Sequence, residues 1–426
     1  MRRRGGTRAR IYPQPPFGDP NARLETVTLS PPAGTVGPGP ADDRMDAVTP
    51  IGKDGDPYGL KDAAAEPWLY LPPWRGPTGP MAMPGPDGHF DHIPADDPSF
   101  PAAHMYACAR YTLDVWEGYI GGPFRWHFHR HFDRLELSHI WNWRNAQMGY
   151  GYLETGDREN ADGFVVPHAL NFDIIAHEIG HALLIAHTGL VDPEDVSAEF
   201  EAFHEMSSDW VGLMTSLHLD SVVDDLLART RGNLDTFNRL TRFGEISKSE
   251  QIRLANNNLT MADFRDGWSN EHRLALPLMG AFFDIFVDLY HEILVEMGAA
   301  PRALEAVADA AEHDPGLLPH VQAGFDRAFE RRPELFREAL VEARDIAARV
   351  TVAVWRNLDA RRFDYAGVRA IVEPIAAGWF GGRLADAVRQ NFDYRLIGLV
   401  RPGPRIERRG EQSHLRSARN LAPADD

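Results

Sequence analysis

Cysteine is nearly absent: Cys108 stands alone among 426 residues. An internal disulfide is therefore excluded, as are four-cysteine zinc sites, and a lone thiol fits a reducing compartment. Lysine is almost as scarce, three residues against 41 arginines, and 44 basic residues face 62 acidic ones for a formal net charge of −18. Such a balance argues against nucleic acid or an anionic membrane surface as the main partner. Long apolar runs are missing too. The most apolar stretch, Leu274 to Tyr290, carries Pro277, Asp284 and Asp288 and is too short and too charged to span a bilayer. The basic start, Met1-Arg2-Arg3-Arg4, runs into Thr7 and a proline-rich stretch, not an apolar segment, so no signal peptide is read there and a soluble, cytoplasmic protein is expected.

Length and a 43% apolar content allow a substantial core and two or more lobes. Residues 1–100 hold 19 of the 32 prolines, which predicts little regular structure. Two readings stay open there: a flexible leader, or an extended strap whose Ile11, Tyr12, Leu24, Val27, Tyr58, Trp68, Tyr70 and Trp74 lie on a folded body. From Ala102 the spacing of Tyr106, Ala109, Leu113, Trp116 and Ile120 predicts an amphipathic helix that stops at Gly121-Gly122-Pro123. Strands are expected at Leu137–Trp143, Met148–Leu153 and Gly163–Val166. After Asn171 the chain reads as largely helical to about Tyr394, including a helix that starts at Pro333. The division expected is an extended segment over 1–100, a core of strands and helices over 101–300, a helical lobe over 301–400 and a frayed polar tail over 401–426.

Chemistry concentrates in Asn171-Phe-Asp-Ile-Ile-Ala-His177-Glu178-Ile-Gly-His181-Ala-Leu-Leu, an HExxH pattern within an apolar helix. At 3.6 residues per turn, His177 and His181 share a face and both imidazoles reach one tetrahedral zinc. Glu178 lies about 100° round the helix, beside the metal and not on it, placed to take a proton from a bound water and pass it to a leaving group. Two residues compete as third ligand. His187 stands ten residues after His177, but the sharp turn that brings such a histidine back needs glycine where Leu184 stands. Glu205 lies on a second expected helix, Ser197 to Trp210, with Asp209 one turn on to hold the free ring N–H of a ligand histidine.

HExxH followed by Glu205-Met206-Ser207-Ser208-Asp209 resembles the thermolysin-like gluzincin metallopeptidases. The resemblance extends over roughly residues 100–300 and takes in Thr188-Gly189-Leu190-Val191, similar to the family's inter-helix turn. It implies an α+β zincin fold with a small β-containing N-terminal lobe and a mostly helical C-terminal one. It implies one Zn2+ per chain on His177, His181 and Glu205, with Asp209 and Asp173 behind the ligands. Asn145-Ala146 is similar to the edge-strand segment that holds substrate backbone, and His272 occupies a place comparable to the histidine that donates to the oxyanion, with Asp266 a candidate to orient it. His204 departs from the family, standing where an asparagine is usual. Acidic residues for the family's calcium sites are not evident after Asp209, so calcium is not expected. The activity implied is zinc endopeptidase hydrolysis of a peptide or protein substrate with Glu178 as general base. Its rivals are a catalytically silent scaffold of the same fold and a zinc hydrolase of a non-peptide amide.

Overall fold

The structure is a computed structural model that describes residues 5–16, 22–53, 72–159, 163–236, 238, 240–247, 250–311 and 314–406. Tyr58, Trp68 and Tyr70 of the expected strap lie outside the described residues. The proline-rich segment contains regular structure, contrary to the reading from its composition. β1 (Gly6–Ile11) and β2 (Glu25–Pro32) form an antiparallel hairpin. Ala9, Ile11, Val27 and Leu29 are buried while Arg8 and Arg10 are not, a period-2 alternation that half-buries a strand pair. The hairpin packs on α1 (Phe100–Ile120), where Tyr12 N–H donates to His104 Nε2 at 2.9 Å. These residues fit the strap reading: this part of the segment belongs to the body. The expected stripe of α1 is buried at Tyr106, Ala109, Leu113 and Trp116, and Gly121, at φ 91°, ends the helix in the left-handed region.

A four-stranded sheet lies on α1 in the order β3 (Met45–Val48), β4 (Leu135–His139), β6 (Tyr152–Thr155), β5 (Ala146–Met148). β3, β4 and β6 run parallel, and β5 is the antiparallel edge. The stretch Met148–Leu153 is therefore two strands, not one; Gly149 N–H donates to Tyr152 O at 2.8 Å and Gly151 has φ 93°, which makes a turn between them. Leu137, Leu153 and Thr155 face α1, where Thr155 meets Met105. The opposite face is polar and buried. Lys53 Nζ lies 2.6 Å from Glu154 Oε1 and 3.7 Å from Glu136 Oε1, Gln147 donates to Glu154 at 2.7 Å, and Trp74 N–H donates to Glu136 at 2.6 Å. Lys53 and Trp74 thus tie the proline-rich segment to the outside of the sheet. The outer edge of β3 is closed, because Asp42 N–H donates to Met45 O and Ala47 N–H donates to Pro40 O.

A small hairpin, β7 (Asp157–Glu159) with β8 (Val165–Pro167), leads into α2 (Phe172–Thr188) and α3 (Ala198–Ser216). These two helices pack closely, because a Cβ on Gly180 of α2 would stand 2.7 Å from Ser208 Cα of α3. α4 (Asp220–Thr230) follows, then β9 (Arg242–Ser247) paired with β10 (Glu250–Leu254), a hairpin that interrupts the region expected to be helical. The rest is helical: α5 (Glu271–Glu296), α6 (Arg302–Ala311), α7 (Leu318–Arg331), α8 (Pro333–Asn357, starting where expected), α9 (Tyr365–Ala377) and α10 (Arg383–Tyr394). Trp355 of α8 stacks on Trp116 of α1 with centroids 5.0 Å apart and donates to Ser207 of α3 at 2.8 Å, joining the helical part to the strand part. The class is mixed helix and sheet, with ten α-helices and several small sheets among the described residues. None of these helices is long and apolar enough to cross a membrane. Residues 401–406, expected to fray, pair with the segment before α5: Trp268 N–H donates to Pro404 O at 3.2 Å and Ile406 N–H to Trp268 O at 2.6 Å.

Candidate metal centre

α2 begins at Asn171, whose side chain accepts from Ile174 N–H at 3.3 Å, and its apolar residues Ile174, Ile175, Ile179, Leu183 and Leu184 are buried. Burial on nearly all sides leaves His177 4% and His181 2% exposed, so their polar atoms need partners inside the protein. Each finds one on α3. His177 Nδ1 lies 2.7 Å from Asp209 Oδ1, the partner expected for it. His181 Nδ1 lies 2.9 Å from Ser208 Oγ and 2.6 Å from His204 Nδ1, with the two imidazoles stacked at 4.6 Å. With the Nδ1 atoms engaged outward, the Nε2 atoms turn to Glu205: His177 Nε2 is 3.4 Å from Oε2 and His181 Nε2 is 3.8 Å from Oε1. One atom from each of His177, His181 and Glu205 falls within 4.8 Å of the others, a buried group able to hold a metal ion.

The donor set fits a divalent cation that takes nitrogen and carboxylate oxygen, and two imidazoles with one carboxylate leave a fourth position of a tetrahedral ion to a small molecule. The hydrogen bonds fix the proton positions such an ion requires. Asp209 accepts from Nδ1–H of His177, which puts the lone pair on Nε2, the atom that faces Glu205. Ser208 Oγ gives its own hydrogen to His204 O at 2.8 Å and so accepts from His181 Nδ1–H. His204 Nδ1 then accepts as well and its proton sits on Nε2. The position of His204, where the resemblance leads one to expect asparagine, is thus filled by an imidazole acceptor. Burial pushes the nearby His127 down to about 4. Gly180 explains how α3 comes near enough for these bonds, since any side chain there would meet Ser208.

Glu178 is 3% exposed and follows His177 on α2. His272, in the first turn of α5, brings Nδ1 to 2.7 Å from Glu205 Oε2 while its side chain stays 29% exposed, at the boundary between the buried ligands and solvent. Asp266 is exposed in the turn before α5. Asp173 lies half-buried in the first turn of α2, one turn before His177, where its charge helps burial to push up the thiol of Cys108. His187 is not brought to the group. α2 continues through it, its Nδ1 meets Leu183 O at 2.7 Å, and its ring lies 5.3 Å from Trp355. Asn145 is exposed, with its carbonyl taking Gly156 N–H at 2.7 Å, and Ala146 opens the edge strand β5, which packs beside α2. In the antiparallel register the main chains of Asn145 and Gln147 turn toward β6, so the N–H and C=O of Ala146 and Met148 point to the edge that has no strand partner among the described residues.

Three contributors escape a reading of motifs. Ser208 and Gly180 sit inside the two motifs but act through helix packing, which spacing alone does not show. Arg405 arrives from more than 130 residues beyond α5's start, its guanidinium 3.1 Å from Glu201, 3.5 Å from Glu271 and over the Trp268 ring at 4.8 Å. Glu201 stands one turn before Glu205 and Glu271 next to His272, so Arg405 ties together the two helix segments that meet at the ligand group. No protein-family profile and no curated protein sequence matches the chain.

Proposed function

We propose that the chain is a zinc-dependent endopeptidase of the thermolysin-like gluzincin kind. The observation that carries the reading is the convergence of His177, His181 and Glu205 on one buried point, with Glu178 next to the first of them and His272 at the solvent side. A structural metal site gains nothing from a carboxylate in the position of Glu178. His177, His181 and Glu205 would hold the ion, and zinc bound there would supply a Lewis acid for the scissile carbonyl and a water of lowered pKa. The residues of the chain do the rest. Glu178 takes a proton from the attacking water and delivers it to the leaving nitrogen. His272 donates to the oxygen on which negative charge develops, a contribution made in the transition state more than in binding. The free edge of β5 offers the N–H and C=O of Ala146 and Met148 to an extended peptide, which adds as a further strand alongside α2.

The test is cleavage of a diverse peptide library by the zinc-loaded protein, with Glu178→Gln carrying equal zinc beside it. Turnover is expected to fall by about a thousandfold or more in the variant while zinc content stays the same. Equal cleavage by both proteins, or none by either with zinc in place, rules the reading out.

A further inference from the structure

Away from the metal centre, α6 and α7 enclose a cleft of about 710 Å³ whose lining is cationic. On α7, His320, Gly324, Arg327 and Arg331 fall four, three and four residues apart, the spacing of one helix face, and Arg332 follows at the turn into α8. α6 contributes Ala303, Leu304 and Val307 opposite them. Leu304 reaches so far across that a Cβ on Gly324 would stand 2.3 Å from its Cδ1, which keeps the floor apolar and the helices close. The cleft has the size at which proteins take small organic molecules.

The cleft gathers three solvent-exposed arginines, Arg327, Arg331 and Arg332, in one lining. In a molecule of net charge −18, three other arginines of this region are spoken for: Arg302 by Glu292 and Glu305, Arg231 by Glu330, Arg383 by Glu292 and Glu296. Three carboxylates of α6 and α7 are engaged, Asp326 by Gln322, Glu330 by Arg231 and Glu305 by Arg302. Arg327, Arg331 and Arg332 have neither a hydrogen-bond nor an ion-pair partner among the described residues. The negative pole at the C-terminus of α7 accounts for Arg331 alone, because a cation in the last turn offsets the helix dipole. It does not account for Arg327 a turn earlier, nor for Arg332, which stands as the N-cap of α8 with no side-chain cap and adds that helix's positive end to the same place.

We infer that this cleft binds a small molecule bearing a phosphate group on an apolar or aromatic body. Guanidinium forks match phosphate oxygens two at a time, and the apolar floor of Leu304, Val307 and Ala328 takes the body of the ligand. The acidity of the whole chain repels anions in general, so an anion held here is held by the local arginines. The site is independent of the metal centre and of the activity proposed for it.

Calorimetric titration of the full chain with phenyl phosphate and with inorganic phosphate at low ionic strength tests the inference. Phenyl phosphate is expected to bind about threefold or more tightly than inorganic phosphate, through the apolar floor. The double variant Arg327→Ala/Arg331→Ala is expected to weaken phenyl phosphate by about tenfold or more, and raising salt to weaken it further. Ala303→Glu, which sets a carboxylate in the cleft without removing an arginine, gives a second check and is expected to abolish binding. Absence of binding by both probes overturns the inference, and so does equal affinity in the double variant, which retains the metal ligands and would then place the phosphate elsewhere.

Discussion

His204 decides how firmly His181 is aimed. Its Nδ1 lies 2.6 Å from that of His181 and its ring is stacked on the same imidazole, so it fixes both the rotation and the proton of a candidate ligand. Phenylalanine in its place keeps the stacking surface and removes the acceptor. His204→Phe is expected to lower zinc affinity by about tenfold, the small end of such effects, because Ser208 Oγ still accepts from His181. Competition with a chromophoric chelator measures this, and an unchanged affinity shows that Ser208 alone holds the ring. The ligands themselves were legible because their spacing is a property of one helix: i and i+4 share a face whatever surrounds them. The acceptor was not legible, since asparagine and histidine at this position differ in reach and the stacking that makes histidine serve depends on two helices at once.

Between elements, the contact that matters most is the crossing of α2 over α3 at Gly180. A methyl group there meets Ser208 Cα at 2.7 Å, and the opposing atom is backbone, which cannot turn aside. Gly180→Ala is expected to cost about 1–3 kcal/mol of stability through the strain of moving a packed helix, more than alanine's helix propensity returns. The same shift moves Glu205 away from the two histidines, so zinc affinity should drop with stability; a variant as stable as the parent with unaltered affinity contradicts the packing argument. Elements with strong local punctuation were readable in the sequence. α1 ends at Gly121 and α8 starts at Pro333 for reasons local to those residues. β1 and β2 carry alternation in Thr7, Ala9 and Ile11 and in Val27 and Leu29, but the surrounding prolines outweighed it. β9 and β10 are short and polar, and nothing in their composition separates them from the loops of a helical region. β3 joins β4 across 90 residues, from Met45 to Leu135, and no local signal specifies a parallel partner at that distance.

For the whole molecule, acid stability follows from buried histidines. Burial pushes His104 and His139 down to about 4, and burial together with Arg344 pushes His218 down to about 3. In the unfolded chain these rings take protons near pH 6.5, while the folded chain refuses them until much lower pH. Stability is therefore full above about 6.5 and falls as pH drops toward 4, by up to about 3 kcal/mol for a fully buried ring such as His104. His127, likewise pushed down to about 4, adds to these three, while Glu199, raised to about 7, and Asp235, raised to about 6, both by burial, act in the opposite sense across part of this range. Urea unfolding of the metal-free protein at pH 7 and at pH 4.5 measures the difference, and equal midpoints refute it. At this scale the sequence showed a large core and an acidic surface, but not which histidines would be enclosed, since burial is set by elements far apart in the chain.

The sheet is also lopsided in how it can grow. At β3 the turn through Pro40 and Asp42 fills the outer hydrogen-bonding positions, whereas at β5 Ala146 and Met148 leave theirs turned outward. Polymerisation of the sheet, the usual hazard of an open edge, is thereby confined to one side of the molecule, and that side lies beside α2. Self-association through this edge and the addition of an extended chain to it thus draw on the same four backbone groups, and one excludes the other.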